Sequence, residues 1–406
     1  MCDDSLLEQM NKLENEKFAL SMERGWPCKE QLDLSVPMLD LVTSKSDLIQ
    51  ENDYRGYAGT GGIIPIKNIF SEILEVDNDQ LYIGSTMSTT IMYDIVAKAM
   101  FLGMNGNKPW NECKEVKFIC PSPGYEKHFK ICETFGITML PVNMKGDGPD
   151  MDQVLELVKD SCVKGIWCVP LYSNPTGDVY SAEVIRTLAS METAAEDFTV
   201  FWDNAYFAHH LTDEEVTINN IIMECEKYGN PNRVFEFFST SKVTFPGGGV
   251  AGCASSVKNI EWLEKSSLLQ LKTGDKINQL RHALFLKDKA GIRAHMKKHR
   301  DIIEPKFCLI DEMLKKYFGN TDFVTWVKPK GGYFMNLEFQ NGMASKIYEI
   351  CKSHGVKITP AGSTFPYGKD PNDKYIRLAP TYPSYEELKK AMVVLCYSIK
   401  EAYGIL

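Results

Sequence analysis

Thr199-Val200-Phe201-Trp202-Asp203-Asn204-Ala205-Tyr206 is an apolar, β-rich run that breaks abruptly into polar residues. A strand that is apolar throughout, without alternation, is buried on both faces and belongs to a largely parallel sheet covered by helices. Working outward, runs of the same kind recur at Val116 to Cys120, Ile137 to Val142, Gly165 to Pro170, Val234 to Thr240 and Val250 to Ser255. Stretches of helical period, such as Ala182 to Glu196, separate them. The alternation predicts an α/β fold built on a mainly parallel sheet sandwiched by helices.

That alternation fills residues 51–287, the expected large domain. Residues 1–50 carry two short helical stretches around Glu23-Arg24-Gly25-Trp26-Pro27 and read as an arm. A long charged helical run, Lys287 to Phe318, opens the remainder. Lys330-Gly331-Gly332-Tyr333-Phe334, a strand, a helix and a last helix from Ser384 follow. Residues 288–406 therefore read as a smaller α+β domain, completed by the N-terminal arm.

Composition narrows the partners. Lys and Arg number 45 against 54 Asp and Glu, a formal charge of -9, so no global positive field gathers nucleic acid or anionic lipid. No run of 18 apolar residues occurs, and the start, Met1-Cys2-Asp3-Asp4-Ser5, is acidic where a signal peptide is basic. The expected location is cytoplasmic. The twelve cysteines form no C-x-x-C pair, and Cys120, Cys168 and Cys253 sit in apolar runs. They read as reduced core thiols, with neither a disulfide frame nor a metal site.

In an open parallel sheet, ligands bind at the carboxyl ends of the strands, where loop amides and helix N-termini converge. One strand there runs into Ser173-Asn174-Pro175-Thr176-Gly177, the next ends in Asp203-Asn204-Ala205-Tyr206, and a third in Ser239-Thr240-Ser241-Lys242 followed by Gly247-Gly248-Gly249. An acid, a lysine and a phosphate-sized set of hydroxyls and glycines on neighbouring strand ends are what a pyridoxal phosphate site requires. Each fragment alone reads as a turn, a solvated lysine or a helix cap. Their order and spacing argue otherwise: 29 residues from Asn174 to Asp203, three more to Tyr206, and 39 from Asp203 to Lys242.

With these residues in place the chain resembles the fold-type I, pyridoxal phosphate dependent aminotransferases of the aspartate aminotransferase superfamily, and most of all their divergent bacterial branch with its MocR-like relatives. The likeness spans nearly the whole chain: Tyr54-Arg55-Gly56-Tyr57, Asn278-Gln279-Leu280-Arg281-His282, Pro329-Lys330-Gly331-Gly332-Tyr333-Phe334, Thr359-Pro360-Ala361-Gly362 and Ile376-Arg377-Leu378-Ala379-Pro380 all carry it. The resemblance implies a sheet of the seven-stranded type and a homodimer with shared active sites. It implies Lys242 as the lysine that attaches the cofactor and then carries the α-proton. It implies Asp203 on the pyridine nitrogen, Asn174 and Tyr206 on the phenolic oxygen, and Tyr125 over the ring face. The phosphate falls to Ser85, Thr86, Met87, Ser88, Ser239 and Ser241, with Tyr57 reaching the phosphate of the neighbouring subunit. Arg377, with Asn174 beside it, takes the substrate α-carboxylate, and Gly25 lies where relatives close over the substrate.

One position departs. Most relatives place an arginine eight residues after the lysine, and here that residue is Val250. Either another cation substitutes or neutral donors hold the phosphate. The resemblance implies transamination between an L-amino acid, aspartate or glutamate foremost, and 2-oxoglutarate. A distal carboxylate needs a further cation, for which Arg281, Lys276 and Arg55 are the candidates. Alternatives are a transaminase for alanine, an aromatic residue or 2-aminoadipate, or a carbon-sulfur lyase. An effector-binding domain of a transcription regulator is disfavoured, since about 50 residues leave no room for a DNA-binding module.

Overall fold

The computed structural model describes residues 4–14, 19–49, 52–57 and 59–406. Among these lie twelve strands: β1 (Leu20–Met22), β2 (Leu81–Ser85), β3 (Lys117–Ser122), β4 (Thr138–Asn143), β5 (Val163–Cys168), β6 (Thr199–Asp203), β7 (Val234–Ser239), β8 (Ala251–Ala254), β9 (Val324–Trp326), β10 (Met335–Phe339), β11 (Val356–Ile358) and β12 (Tyr375–Leu378). Seven form the main sheet in the order β2-β8-β7-β6-β5-β3-β4. β8 alone runs antiparallel, against both β2 and β7. β5, β6 and β7 are buried at every residue. Alternate side chains enter two cores, Val200, Trp202 and Phe238 on one face and Phe201, Phe235 and Phe237 on the other. This is the helix-covered α/β sheet expected from the apolar runs.

The rest of the fold carries the arm. β12-β10-β9 make an antiparallel sheet, and β1 pairs in parallel with β11. Leu6, Met10 and Leu13 of the first helix join a third core with Phe307, Leu314 and Leu395.

The local readings need three corrections. The helix from Ala182 stops at Ser190 and does not reach Glu196. The buried Arg233 guanidinium donates to the carbonyls of Ala189 and Met191, at 3.1 and 2.6 Å, and satisfies the end of that helix. The long helix begins at Lys289, because Lys287 takes a positive φ of 66° and Asp288 caps the Gly291 amide at 2.7 Å. β2 was not among the expected strands. Eleven of the cysteines are free thiols, and Cys2 lies outside the described residues. Among those residues no helix is long and apolar enough to cross a membrane, and no metal-ligating group of three assembles.

One buried acid in the sheet makes stability depend on pH. Glu236 of β7 is 5% exposed and accepts a hydrogen bond from Asn204 Nδ2 at 2.8 Å. Burial pushes its carboxyl up to about 7, against the Asn204 bond that favours the ion. The folded chain thus holds this proton more tightly than the unfolded chain. The stabilisation is complete below the ordinary carboxylate value and is lost as pH rises through about 7. Glu236→Gln should therefore gain stability relative to the native chain at pH 8, by up to about 3 kcal/mol, and little at pH 4. Denaturant unfolding at both pH values checks this, and an equal difference at both would refute it.

Candidate active site

The parallel register brings the ends of β5, β6 and β7 to one edge, pairing Cys168 with Trp202 and Asp203 with Phe237. Asp203 is 3% exposed there. Its Oδ2 lies 3.1 Å from His128 Nε2, and its Oδ1 is buried without a hydrogen-bond partner. A buried carboxylate oxygen left unpaired is costly. It is a place for an N–H from outside the chain, which is what a protonated pyridine nitrogen offers.

Lys242 follows β7 on a loop tied by its own backbone and hydroxyls. Thr240 N donates to Val250 O at 2.8 Å, and Val250 N to Thr240 Oγ1 at 2.9 Å. Tyr333 OH donates to Lys242 O at 3.3 Å. Behind the loop, His295 Nε2 lies 2.8 Å from Val243 O and 3.1 Å from His299 Nε2, while Gln31 Nε2 reaches both His299 Nδ1 (3.0 Å) and Tyr333 OH (2.8 Å). Burial pushes the Lys242 amine below its ordinary value, opposed by the charges of Asp203 and Glu126. Its Nζ lies 5.1 Å from the centroid of the Tyr206 ring. The Tyr206 phenol is pushed well up by burial, then by neighbouring Tyr125 and Asp203, so it stays an O–H donor. Tyr125 is half-buried, with its ring 5.0 Å from that of His128 at 79°, and its phenol is pushed up by burial and then by the charges of Glu126 and Asp203, against Arg377.

Arg377, at 4% exposure, gathers four distant segments. Nε donates to Thr359 Oγ1 (3.2 Å), Nη1 to Asn174 Oδ1 (3.0 Å) and Glu126 Oε2 (2.7 Å), and Nη2 to Glu126 Oε1 (3.2 Å) and Glu23 O (3.4 Å). The guanidinium also stacks 4.6 Å over the Phe334 ring. Gly25 lies against that same ring, where an added Cβ would come within 2.5 Å of Phe334 Cζ. The arm therefore lies directly on the Arg377 site, and a glycine is needed there because the ring leaves no room for a side chain.

Ser85 and Ser239 flank Ala251, each as its register partner. Thr86, Met87 and Ser88 lead into the helix Ser88–Leu102, whose first turn has no side-chain cap, and Ser241 Oγ donates to Thr86 O at 3.4 Å. Backbone amides and hydroxyls thus converge as an anion cradle needs. Val250 is 1% exposed and bonds only through its backbone to Thr240. Tyr57 is 85% exposed and does not join this cluster. Of the other cations, Arg55 is held by Asp53 at 2.8 and 2.7 Å. Lys276 donates to Gly56 O at 2.7 Å, and the Arg281 Nε is buried without a partner.

Two contacts escaped the sequence reading, those of His128 with Asp203 and Glu126 with Arg377. His128 stands three residues after Tyr125 on the helix Glu126–Thr134, one turn on, and stacks on Trp167 at 4.5 Å. That spacing was the available signal. Glu126 is the first residue of that helix, where an acid reads simply as a complement to the helix dipole.

The profile of the family described as aspartate amino-transferase matches residues 3–403. The aspartate aminotransferase of Corynebacterium glutamicum is 41% identical over 392 residues, covering 96% of this chain and 90% of that protein. A crystal structure of an aspartate transaminase from that organism superposes with a TM-score of 0.94 at 40% identity, covering 99% and 96% of the two chains. At 19% identity and a TM-score of 0.79, covering 99% and 96%, the α-aminoadipate aminotransferase of Thermus thermophilus, complexed with N-(5'-phosphopyridoxyl)-L-leucine, shares the fold. From its first helix to its last, this chain belongs to the aspartate aminotransferase family and is a pyridoxal phosphate dependent transaminase, whose substrates are amino acids and 2-oxo acids.

Proposed function

We propose that the chain works as a cytoplasmic homodimer in which each active site draws on both subunits, and that it exchanges amino groups by ping-pong between L-aspartate or L-glutamate and 2-oxoglutarate. The observation that carries this reading is the joining of Arg377 to Asn174 at 3.0 Å, with a half-buried Lys242 just after β7, on a chain 41% identical to a named aspartate aminotransferase.

Bound pyridoxal phosphate supplies the sink for the electron pair released when the substrate Cα–H bond breaks. The chain's own residues do the rest. Asp203 Oδ1, buried and unpaired, would accept from a protonated ring nitrogen and favour its charge. Tyr206 and Asn174 would hold the phenolic oxygen, and Tyr125 would lie against the ring. Ser85, Thr86, Met87, Ser88, Ser239 and Ser241 would receive the phosphate. Arg377 grips the α-carboxylate and so fixes which Cα bond is broken. Lys242 Nζ takes the α-proton. Its lowered pKa matters because only the neutral amine can act as nucleophile or base near neutral pH.

A panel of amino donors with 2-oxoglutarate tests the substrate pair: aspartate and glutamate should exceed alanine, aromatic residues and 2-aminoadipate in kcat/KM. A higher value for any of the latter three would replace it. Pyruvate and ammonia formed without an oxo-acid acceptor would mark a carbon-sulfur lyase instead.

Sharing of the site is tested through Tyr57, whose ring stands out from its own protomer at 85% exposure. Mixing Lys242→Ala subunits with Tyr57→Ala subunits should restore up to about a quarter of native activity, since half of the random dimers are mixed and each holds one intact site. No recovery above the averaged parents, in subunits shown to have exchanged, would return Tyr57 to a role within its own chain.

A further inference from the structure

A guanidinium has five N–H donors in a planar fork. Every one of those of Arg377 is engaged: Nε by Thr359, Nη1 by Asn174 and Glu126, and Nη2 by Glu126 and Glu23 O. The face toward Glu126 is the bidentate one, with contacts of 2.7 and 3.2 Å to its two carboxylate oxygens. A substrate carboxylate would take the same fork in the same way. We propose that Glu126 is an internal competitor for the substrate carboxylate, occupying the fork of Arg377 between turnovers and leaving it only when a ligand carboxylate takes its place.

The two partners differ in a way that suits this exchange. The Arg377 side chain is 4% exposed and held from three other sides, whereas that of Glu126 is 33% exposed at the first position of its helix. Arg377 therefore stays while Glu126 can turn to water, where the N-terminus of its own helix still favours its charge. The exchange replaces one anion by another, so the buried cation never stands without a counter-charge. Apparent affinity for any carboxylate ligand is then the intrinsic affinity reduced by the cost of displacing Glu126 from the fork. A ligand must present a carboxylate able to bind two N–H groups at once, and weaker anions are turned away.

The inference rests on Arg377 as the carboxylate site, and the test separates the two. Succinate carries carboxylates but no amino or oxo group, so calorimetric titration of it into the holoenzyme reads binding without turnover. Glu126→Gln keeps the length of the side chain and removes the charge, and Glu126→Ala removes the side chain. Both should bind succinate about tenfold more tightly than the native enzyme, and both should lower KM for the amino donor by a similar factor. Unchanged or weaker binding in both variants would overturn the proposal and make Glu126 a positioning residue that holds Arg377 in place. Arg377→Ala is the control. If it leaves succinate binding intact, the carboxylate site itself is wrongly assigned, whatever the Glu126 variants do; if it abolishes binding while they bind no more tightly, only the competitor is refuted.

Discussion

Replacing Lys242 with alanine is expected to lower transamination by about four orders of magnitude or more, because both the covalent anchor and the carrier of the α-proton disappear. The fold should survive. The lysine loop is held through the Thr240 and Val250 backbone, the Thr240 hydroxyl and the Lys242 carbonyl, none of which needs the amine. Pyridoxal phosphate should still bind, weakly, through Asp203 and the cradle at Ser85 to Ser88. Turnover and equilibrium dialysis of the cofactor measured on the same preparation decide the matter. Near-native turnover in this variant would sink the whole site assignment.

Asp203→Ala should keep the lysine and yet lose about three orders of magnitude in turnover, since a ring nitrogen without its carboxylate is a poor acceptor of negative charge. Asp203→Asn sharpens the result. The amide keeps the shape and still accepts from His128, but it cannot stabilise a protonated ring. A similar loss in both variants, with thermal stability near native in the asparagine variant, assigns the effect to charge. Retained activity with cofactor bound would remove Asp203 from this role.

The sheet could be read from sequence because β5, β6 and β7 are mainly apolar on both faces, Lys164 and Glu236 aside, and Asp203 and Lys242 stood out as polar residues at or just beyond the ends of such runs. β2 was harder. Its Leu81-Tyr82-Ile83 is three apolar residues ahead of Gly84 and Ser85, too short a run for periodicity to separate strand from loop. The reversed direction of β8 is likewise invisible in composition, since antiparallel and parallel strands in a buried sheet carry the same residues. At the site, Asn174, Tyr206 and Arg377 were legible through a resemblance carried by motifs. Glu126 and His128 were not, because their meaning lies in partners 251 and 75 residues away. A charge at the start of a helix and a histidine on its buried face have ordinary explanations until those partners are known.

The pairing of Leu20 with Val356 also sets a timetable for synthesis. The arm leaves the ribosome first, and the strand it pairs with follows 336 residues later, from 356 - 20. At about 5 to 20 residues per second, Leu6, Met10, Leu13, Leu20 and Met22 wait roughly 15 to 70 s for the core that will cover them. Throughout that interval the nascent chain carries an apolar segment without these late-made partners. The Arg377 site, which needs Glu23 from the arm and Thr359 from far along the chain, can close only once both have emerged together with Arg377 itself.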